Sequence, residues 1–218
     1  MTQLVLVRHG EAVCNVERRI EGIATCRGLS ERGRAQAQAL ARRLQSERFA
    51  VDVLVASPIR RAAETAEILA SVLSVGIEFD HDLEEVRPGE AEGLLWDQYF
   101  AYFGNSEGWE PDVPFAPGAE SWSAFATRVS GALDRLGDAH NNKRVVVVAH
   151  GGVVDASMFH FFGLDPQVRS PIDFETTNTS LTQWERRTFA APPGTNQDAV
   201  SRWRLVRYND AAHLDTLG

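Results

Sequence analysis

Two of the six histidines in this chain stand where an apolar run gives way to a polar turn. Leu4 to Val7 leads into Arg8-His9-Gly10-Glu11, and the valine run from Arg144 to Ala149 leads into His150-Gly151-Gly152. A third short apolar run, Asp52 to Ala56, ends in Ser57-Pro58-Ile59-Arg60-Arg61. Ligands of open α/β sheets bind where strands deliver their C-terminal ends, so the three turns can converge on one pocket holding two histidines and at least two arginines. Arginine matches phosphate oxygens with a rigid fork of donors, and guanidinium groups gathered in one pocket require an anion to neutralise them.

The elements that must position these groups can be read from periodicity. Leu4–Val7 and Arg144–Ala149 are apolar without alternation, the pattern of strands buried on both faces. Ser30, followed by Glu31 and Gly33 and then by Ala37, Leu40, Ala41 and Leu44, predicts a capped amphipathic helix with Arg34, Arg42 and Arg43 on its charged face. Ser57-Pro58 reads as an N-cap and first-turn proline for a second helix, with the apolar stripe Ala62, Ala66, Leu69 and Leu73. Phe125, Val129, Leu133 and Leu136 define a third helical face. Leu181–Glu185 and Ser201–Arg207 flank the loop Ala190-Ala191-Pro192-Pro193-Gly194 and read as strands closing one edge of the sheet. Between Trp96 and Phe125 fall nine of the nineteen aromatics, Trp109 among them, interrupted by Pro111, Pro114 and Pro117. That segment predicts a partly irregular cap inserted at about 94–120. The expected architecture is one α/β domain over 1–218, a three-layer α/β/α sandwich with a mostly parallel central sheet.

Composition narrows the function. With 22 Lys and Arg against 30 Asp and Glu, the net charge of −8 argues against nucleic acid or an anionic membrane as partner. No stretch approaches the roughly 18 apolar residues of a membrane span, and MTQLVLVRHGE lacks the layout of a secretion signal, so a cytoplasmic protein is expected. Cys14 and Cys26 form neither a C-x-x-C pair nor a disulfide framework and read as reduced thiols. The aromatic segment and the edge strands could bury themselves in a homodimer.

The string Leu6-Val7-Arg8-His9-Gly10-Glu11, with Asn15 beyond it, resembles the signature of the histidine phosphatase superfamily in its phosphoglycerate-mutase-like branch. Four further segments follow in that family's order: Leu29-Ser30-Glu31-Arg32-Gly33 with Gln36-Ala37; Ser57-Pro58-Ile59-Arg60-Arg61-Ala62 with Thr65-Ala66; Leu83-Glu84-Glu85 with Gly89-Glu90 and Glu92-Gly93; and Ala149-His150-Gly151-Gly152-Val153. The resemblance implies that His9 is a nucleophile forming a phosphohistidine. It implies that Arg8, Arg61 and His150 bind the phosphoryl oxygens and that Glu85 is the proton donor. Asn15, Glu21, Gly22 and Gly151 are implied as substrate contacts, with no metal and no cofactor. At Glu21 the sequence departs from the neutral polar residue expected there, and Ala24-Thr25-Cys26-Arg27-Gly28 departs from the aspartate-bearing loop common in the family.

The residue chemistry agrees with that implication. Phosphoryl transfer passes through a loose transition state, so catalysis rests on positioning and on donors aimed at the equatorial oxygens. An imidazole attacks through one nitrogen only if it is neutral and its other nitrogen is held, here by a backbone carbonyl near Gly10. A glutamate can protonate the leaving alcohol and then take a proton from water. Two other readings are weighed beside it. A metallohydrolase built on His9, His150 and Glu85 is opposed by two arginines aimed at the same point, and a non-catalytic phosphate-binding protein is opposed by the complete set of reactive groups.

From Glu84 to Glu120, nine acids including Glu107 face a single base, Arg87. If that segment overhangs the pocket, its field disfavours substrates with a second anionic group. The mutase members of the family this chain resembles carry a longer insertion with a basic pair that grips such a group; no such pair is present here, so the resemblance implies hydrolysis over mutase activity. The expected substrate is a small phosphorylated metabolite with a neutral, cationic or partly apolar body.

Overall fold

The computed structural model describes residues 1–104, 110–167, 174–189 and 200–217. Strand β1 (Thr2–Arg8) sends Leu4 and Leu6 to one face of a sheet and Val5 and Val7 to the other. β4 (Arg144–Ala149) divides Val145 and Val147 from Val146 and Val148 in the same way. All eight side chains are at most 1% exposed, which is why these runs are apolar without alternation. Burying each contributes about 1.5–3 kcal/mol.

With β2 (Val53–Ala56), β3 (Ile77–Phe79), β5 (Leu181–Phe189) and β6 (Val200–Asp210), they form a six-stranded sheet in the order β3-β2-β4-β1-β5-β6. The first four of these strands are mutually parallel, and β5 and β6 add antiparallel at one edge. Helices α2 (Glu31–Ser46) and α3 (Arg60–Leu73) cover one face, and α5 (Trp122–Ala139) and α6 (Gly151–Phe162) cover the other. The protein is thus a three-layer α/β/α sandwich with a mostly parallel sheet. No helix among the described residues is long and apolar enough to cross a membrane.

Helix α2 begins as its sequence predicts, the Ser30 hydroxyl accepting from the Gly33 amide. Its first turn is pressed against the polar turn after β1: a Cβ on Gly33 would lie 1.9 Å from the Glu11 carbonyl oxygen, and one on Gly10 would lie 2.5 Å from that of Gly33. Only two glycines let these backbones meet. The start of α3 differs from expectation. Its first residue is Arg60 and its N-cap is Ile59, which makes no side-chain cap. Ser57 is displaced from the capping position because its hydroxyl is engaged elsewhere, as described below.

The segment expected to form a partly irregular cap contains an ordered helix, α4 (Trp96–Phe103). It is stitched to the segment after α1 (Val13–Glu17) by backbone bonds from Trp96 to Arg18, from Ile20 to Leu94 and from Gly93 to Ile20. Tyr99 is its buried residue, packed among Ile20, Ala91 and Ala116, with its hydroxyl donating to the Phe115 carbonyl at 3.0 Å. Trp122 and Phe125, the last of the aromatic run, belong to α5, with Phe125 in the main core. Trp109, Glu107 and the 190–194 loop lie outside the described residues.

Candidate active site

Sheet register brings the three turns together. Arg8 pairs with Ala149 across β1 and β4, and Ala56 pairs with Val148 across β4 and β2. The next residues along these neighbouring strands are His9, His150 and Ser57. The ladder extends one bond further on each side, from the His9 amide to Ala149 and from the Ser57 amide to Val148, both 2.9 Å. The His9 and His150 rings stand edge to face with centroids 5.2 Å apart.

His9 is buried, and its Nδ1 lies 2.7 Å from its neighbour's carbonyl, Gly10 O. A carbonyl only accepts, so Nδ1 carries the proton and Nε2 keeps its lone pair. Arg61, in the first turn of α3, donates Nε–H to that nitrogen at 3.1 Å and Nη1–H to the Glu21 carbonyl at 3.1 Å. Burial, and then the Arg61 charge, hold the His9 imidazole well below its ordinary pKa, so it is neutral at physiological pH. The same two causes, in the same order, hold His150 neutral.

His150 Nε2 is 2.8 Å from the Ser57 hydroxyl, and its buried Nδ1 has no hydrogen-bond partner among the described residues. Arg8 donates Nη1–H to the Thr176 carbonyl, and its buried Nε likewise has no partner among them. Burial lowers the Arg8 pKa from its ordinary value, opposed chiefly by Glu85 and Asp155.

Glu85 accepts from two backbone amides, Val86 at 3.0 Å and Gly152 at 3.2 Å, the latter in the first turn of α6. A Cβ on Gly152 would lie 2.2 Å from Glu85 Oε1, so this glycine is what lets the carboxylate reach the helix end. Adjacent Glu84 is turned away into an ion pair with Arg87 at 3.2 Å and a contact with His81 at 2.6 Å.

Above these groups opens a cleft of about 840 Å³. Arg8, His9, Arg61, Glu85 and Gly151 line its floor, while Trp96, Tyr99, Phe100, Phe103 and Phe115 of the cap, with Trp122, form its wall. Trp96 and Phe100 are about two-fifths exposed. The remaining sequence candidates divide. Asn15 lines the cleft, but its Oδ1 accepts from the Ala12 amide at 2.9 Å at the start of α1. Glu21 also lines it, with its carboxylate paired to Arg27 at 2.9 Å while its carbonyl holds Arg61. Gly22 does not line the cleft: it lies against the Glu92 carboxylate, which a Cβ there would meet at 2.8 Å. Both cysteines are free, and burial pushes the Cys14 thiol up to about 11.

The expected acidic field over the cleft is weaker than the residue count implied. Glu120 is paired at 2.5 Å with Arg128, a base that α5 brings in from outside the counted segment, and Glu92 is bound to the amides of Ala24 and Thr25. Glu110 lines the cleft with no ion pair among the described residues, so a smaller negative charge remains. Ser57 is the site residue that sequence reasoning misplaced. Its position one residue past β2, beside β4, was the signal available.

Two neutral imidazoles, two guanidinium groups and a carboxylate at the carboxyl end of a parallel sheet define a site suited to binding and transferring a phosphoryl group. The sequence profile of the histidine phosphatase superfamily (branch 1) matches residues 4–191. The chain is 37% identical over 161 residues to phosphoglycerate mutase-like protein 4 of Arabidopsis thaliana, covering 70% of this chain and 67% of that protein. It is 30% identical over 214 residues to the uncharacterized phosphatase PhoE of Bacillus subtilis, covering 98% and 97%. Mycobacterial glucosyl-3-phosphoglycerate phosphatase superposes with a TM-score of 0.74 at 29% identity, over 95% of this chain and 98% of that one. The chain therefore belongs to the histidine phosphatase superfamily. It is a phosphoric monoester hydrolase.

Proposed function

We propose that this enzyme hydrolyses a small phosphorylated metabolite through a phosphohistidine on His9, in a single catalytic domain whose cap spans about 94–120. The observation that carries the reading is the arrangement of His9: Nδ1–H spent on the Gly10 carbonyl, and the Nε2 lone pair facing the Arg61 guanidinium. An entering phosphoryl group takes the Arg61 donors in charge-assisted bonds, which frees Nε2 for in-line attack. Arg8 and the His150 ring supply further donors to the equatorial oxygens. The P–N bond forms as the ester P–O bond breaks, and Glu85 passes its proton to the departing alcohol oxygen. Water then attacks phosphorus, its proton goes to Glu85, the P–N bond breaks and inorganic phosphate leaves.

No step calls for a metal. A cation bound to His9 Nε2 would have to displace the guanidinium that donates to it. The substrate's alcohol body rests on the aromatic wall, which favours a neutral, cationic or partly apolar group over one with a second anion. Arg19, the further base on the cleft lining, is turned to the Gly93 carbonyl and to Glu17.

The test is turnover of a panel of phosphomonoesters by wild type and His9→Ala with EDTA present. Hydrolysis of neutral-bodied esters by wild type and none by the variant is expected. Loss of wild-type activity in EDTA would overturn the mechanism, and a best kcat/KM for 3-phosphoglycerate or a sugar bisphosphate would overturn the assignment of the alcohol.

A further inference from the structure

Ser57 was expected to cap α3, yet its hydroxyl is fully buried between two partners, neither of them a helix-capping bond. It accepts from the Ile59 amide at 3.3 Å and lies 2.8 Å from His150 Nε2. We propose that Ser57 is a positioning residue that fixes His150 in the Nδ1–H tautomer, so that the second imidazole meets the phosphoryl group as a hydrogen-bond donor.

Two independent arguments converge on that tautomer. A hydroxyl has one proton to give. The Ile59 amide is itself a donor, so among the described residues His150 Nε2 is the acceptor for the Ser57 proton, and a nitrogen that accepts carries no hydrogen. The opposite tautomer would leave the Ser57 proton buried without an acceptor, which is unfavourable. On the reading of His150 as a phosphoryl ligand, it would also present a bare Nδ1 lone pair to the oxygens of an anion. With Nδ1 protonated, the one buried imidazole nitrogen at the site without a partner among the described residues becomes a donor where donors are needed.

The two histidines are then held in complementary forms by opposite ring nitrogens. The Gly10 carbonyl takes the His9 Nδ1 proton and leaves a lone pair for attack; the Ser57 hydroxyl caps the His150 Nε2 lone pair and leaves a proton for binding. Register builds this difference in, because His150 stands one residue past β4, which lies between β1 and β2, and the residue one past β2 is Ser57, whose hydroxyl reaches Nε2.

This inference rests on the reading of His150 as a phosphoryl ligand, but the tautomer can be read without turnover. Nitrogen-15 NMR of histidine-labelled protein, with and without inorganic phosphate, should show His150 Nδ1 as a pyrrole-type nitrogen and Nε2 as a pyridine-type one. Ser57→Ala should mix the two tautomers and lower kcat about 10- to 100-fold, as loss of a bond orienting an active-site histidine does. In a His150→Asn background, where the amide supplies a donor without needing Ser57, Ser57→Ala should cost little more. A wild-type His150 protonated at Nε2, or an equal further loss in the Asn background, overturns the proposal. Full activity of His150→Ala would instead overturn the phosphoryl reading while leaving the tautomer measurement standing.

Discussion

The floor and the wall of the cleft are built on different principles. The polar groups of the floor are held by backbone atoms, His9 by Gly10, Arg61 by Glu21 and Glu85 by the Gly152 amide, and His150, fully buried beside them, is held by the Ser57 hydroxyl. The wall is a helix of eight residues anchored through Tyr99, presenting half-exposed aromatic faces. Strand ends, the first turn of α3 and the start of α6 fix where the reacting atoms go. A thin aromatic cap only encloses what is attached to them. The chemistry should therefore tolerate almost no change on the floor, while the choice of alcohol shifts readily at the wall.

The largest effect is expected at His9. His9→Ala should lower kcat by about 10⁴-fold or more with every ester, since no other group on the floor can replace the nucleophile. Steady-state assays across the panel check this, and an ester that the variant still turns over well would contradict it. Glu85→Gln should cost about 10²–10⁴-fold with alkyl phosphates. With an aryl ester whose phenolate leaves without a proton the loss should shrink markedly, and an equal loss for both would show that Glu85 is not the acid. Gly152→Ala should mimic part of this effect, about 10-fold in kcat, because its methyl group meets Glu85 Oε1. Its KM should stay close to that of wild type.

At the wall the expected effects are smaller and differ in kind. Trp96→Ala or Phe100→Ala should raise KM for apolar-bodied esters by about 5- to 10-fold, the value of a partly buried aromatic contact, with kcat nearly unchanged. A comparable loss for a methyl ester would show that the wall also shapes the floor. The smallest effect lies below the site, in stability. His9 and His150 are held neutral by burial, and burial lowers His213, paired with Thr179, to about 4. The unfolded chain takes up protons on these rings near pH 6.5 while the folded chain does not. Their contribution is therefore intact above that pH and is lost as pH falls through it, with the His213 share complete near pH 4. Urea midpoints between pH 7.5 and 4 should fall with acid, and His213→Gln should flatten the slope.

The same division separates what was legible in the sequence from what was not. The floor's strands announce themselves because burial on both faces demands unbroken valine and leucine, and α2 is marked by Ser30 and by the period of Ala37, Leu40, Ala41 and Leu44. Ser57 was misread because a serine before a helix has a local meaning, and its actual partner is 93 residues away in the chain. The α6 helix carries no periodic signal, since it is apolar on almost every side, and β3 is three residues long with two of them exposed. At the wall, aromatic concentration marked the segment that lines the cleft, but not its helix or the Arg128 charge that neutralises Glu120 from another element. Local pattern reveals groups whose neighbours in space are neighbours in sequence, and the cap has few of these.

The proposed reaction turns on one covalent bond, between phosphorus and Nε2 of His9. Rapid quench of steady-state turnover into alkali, followed by peptide mass mapping, reads it directly, because phosphohistidine survives base. A phosphoryl group is expected on the His9 peptide, attached at Nε2, and absent from His9→Ala. Turnover of a chiral phosphoryl ester with no such adduct and with inversion at phosphorus would mean that water attacks directly, and would contradict the proposed reaction.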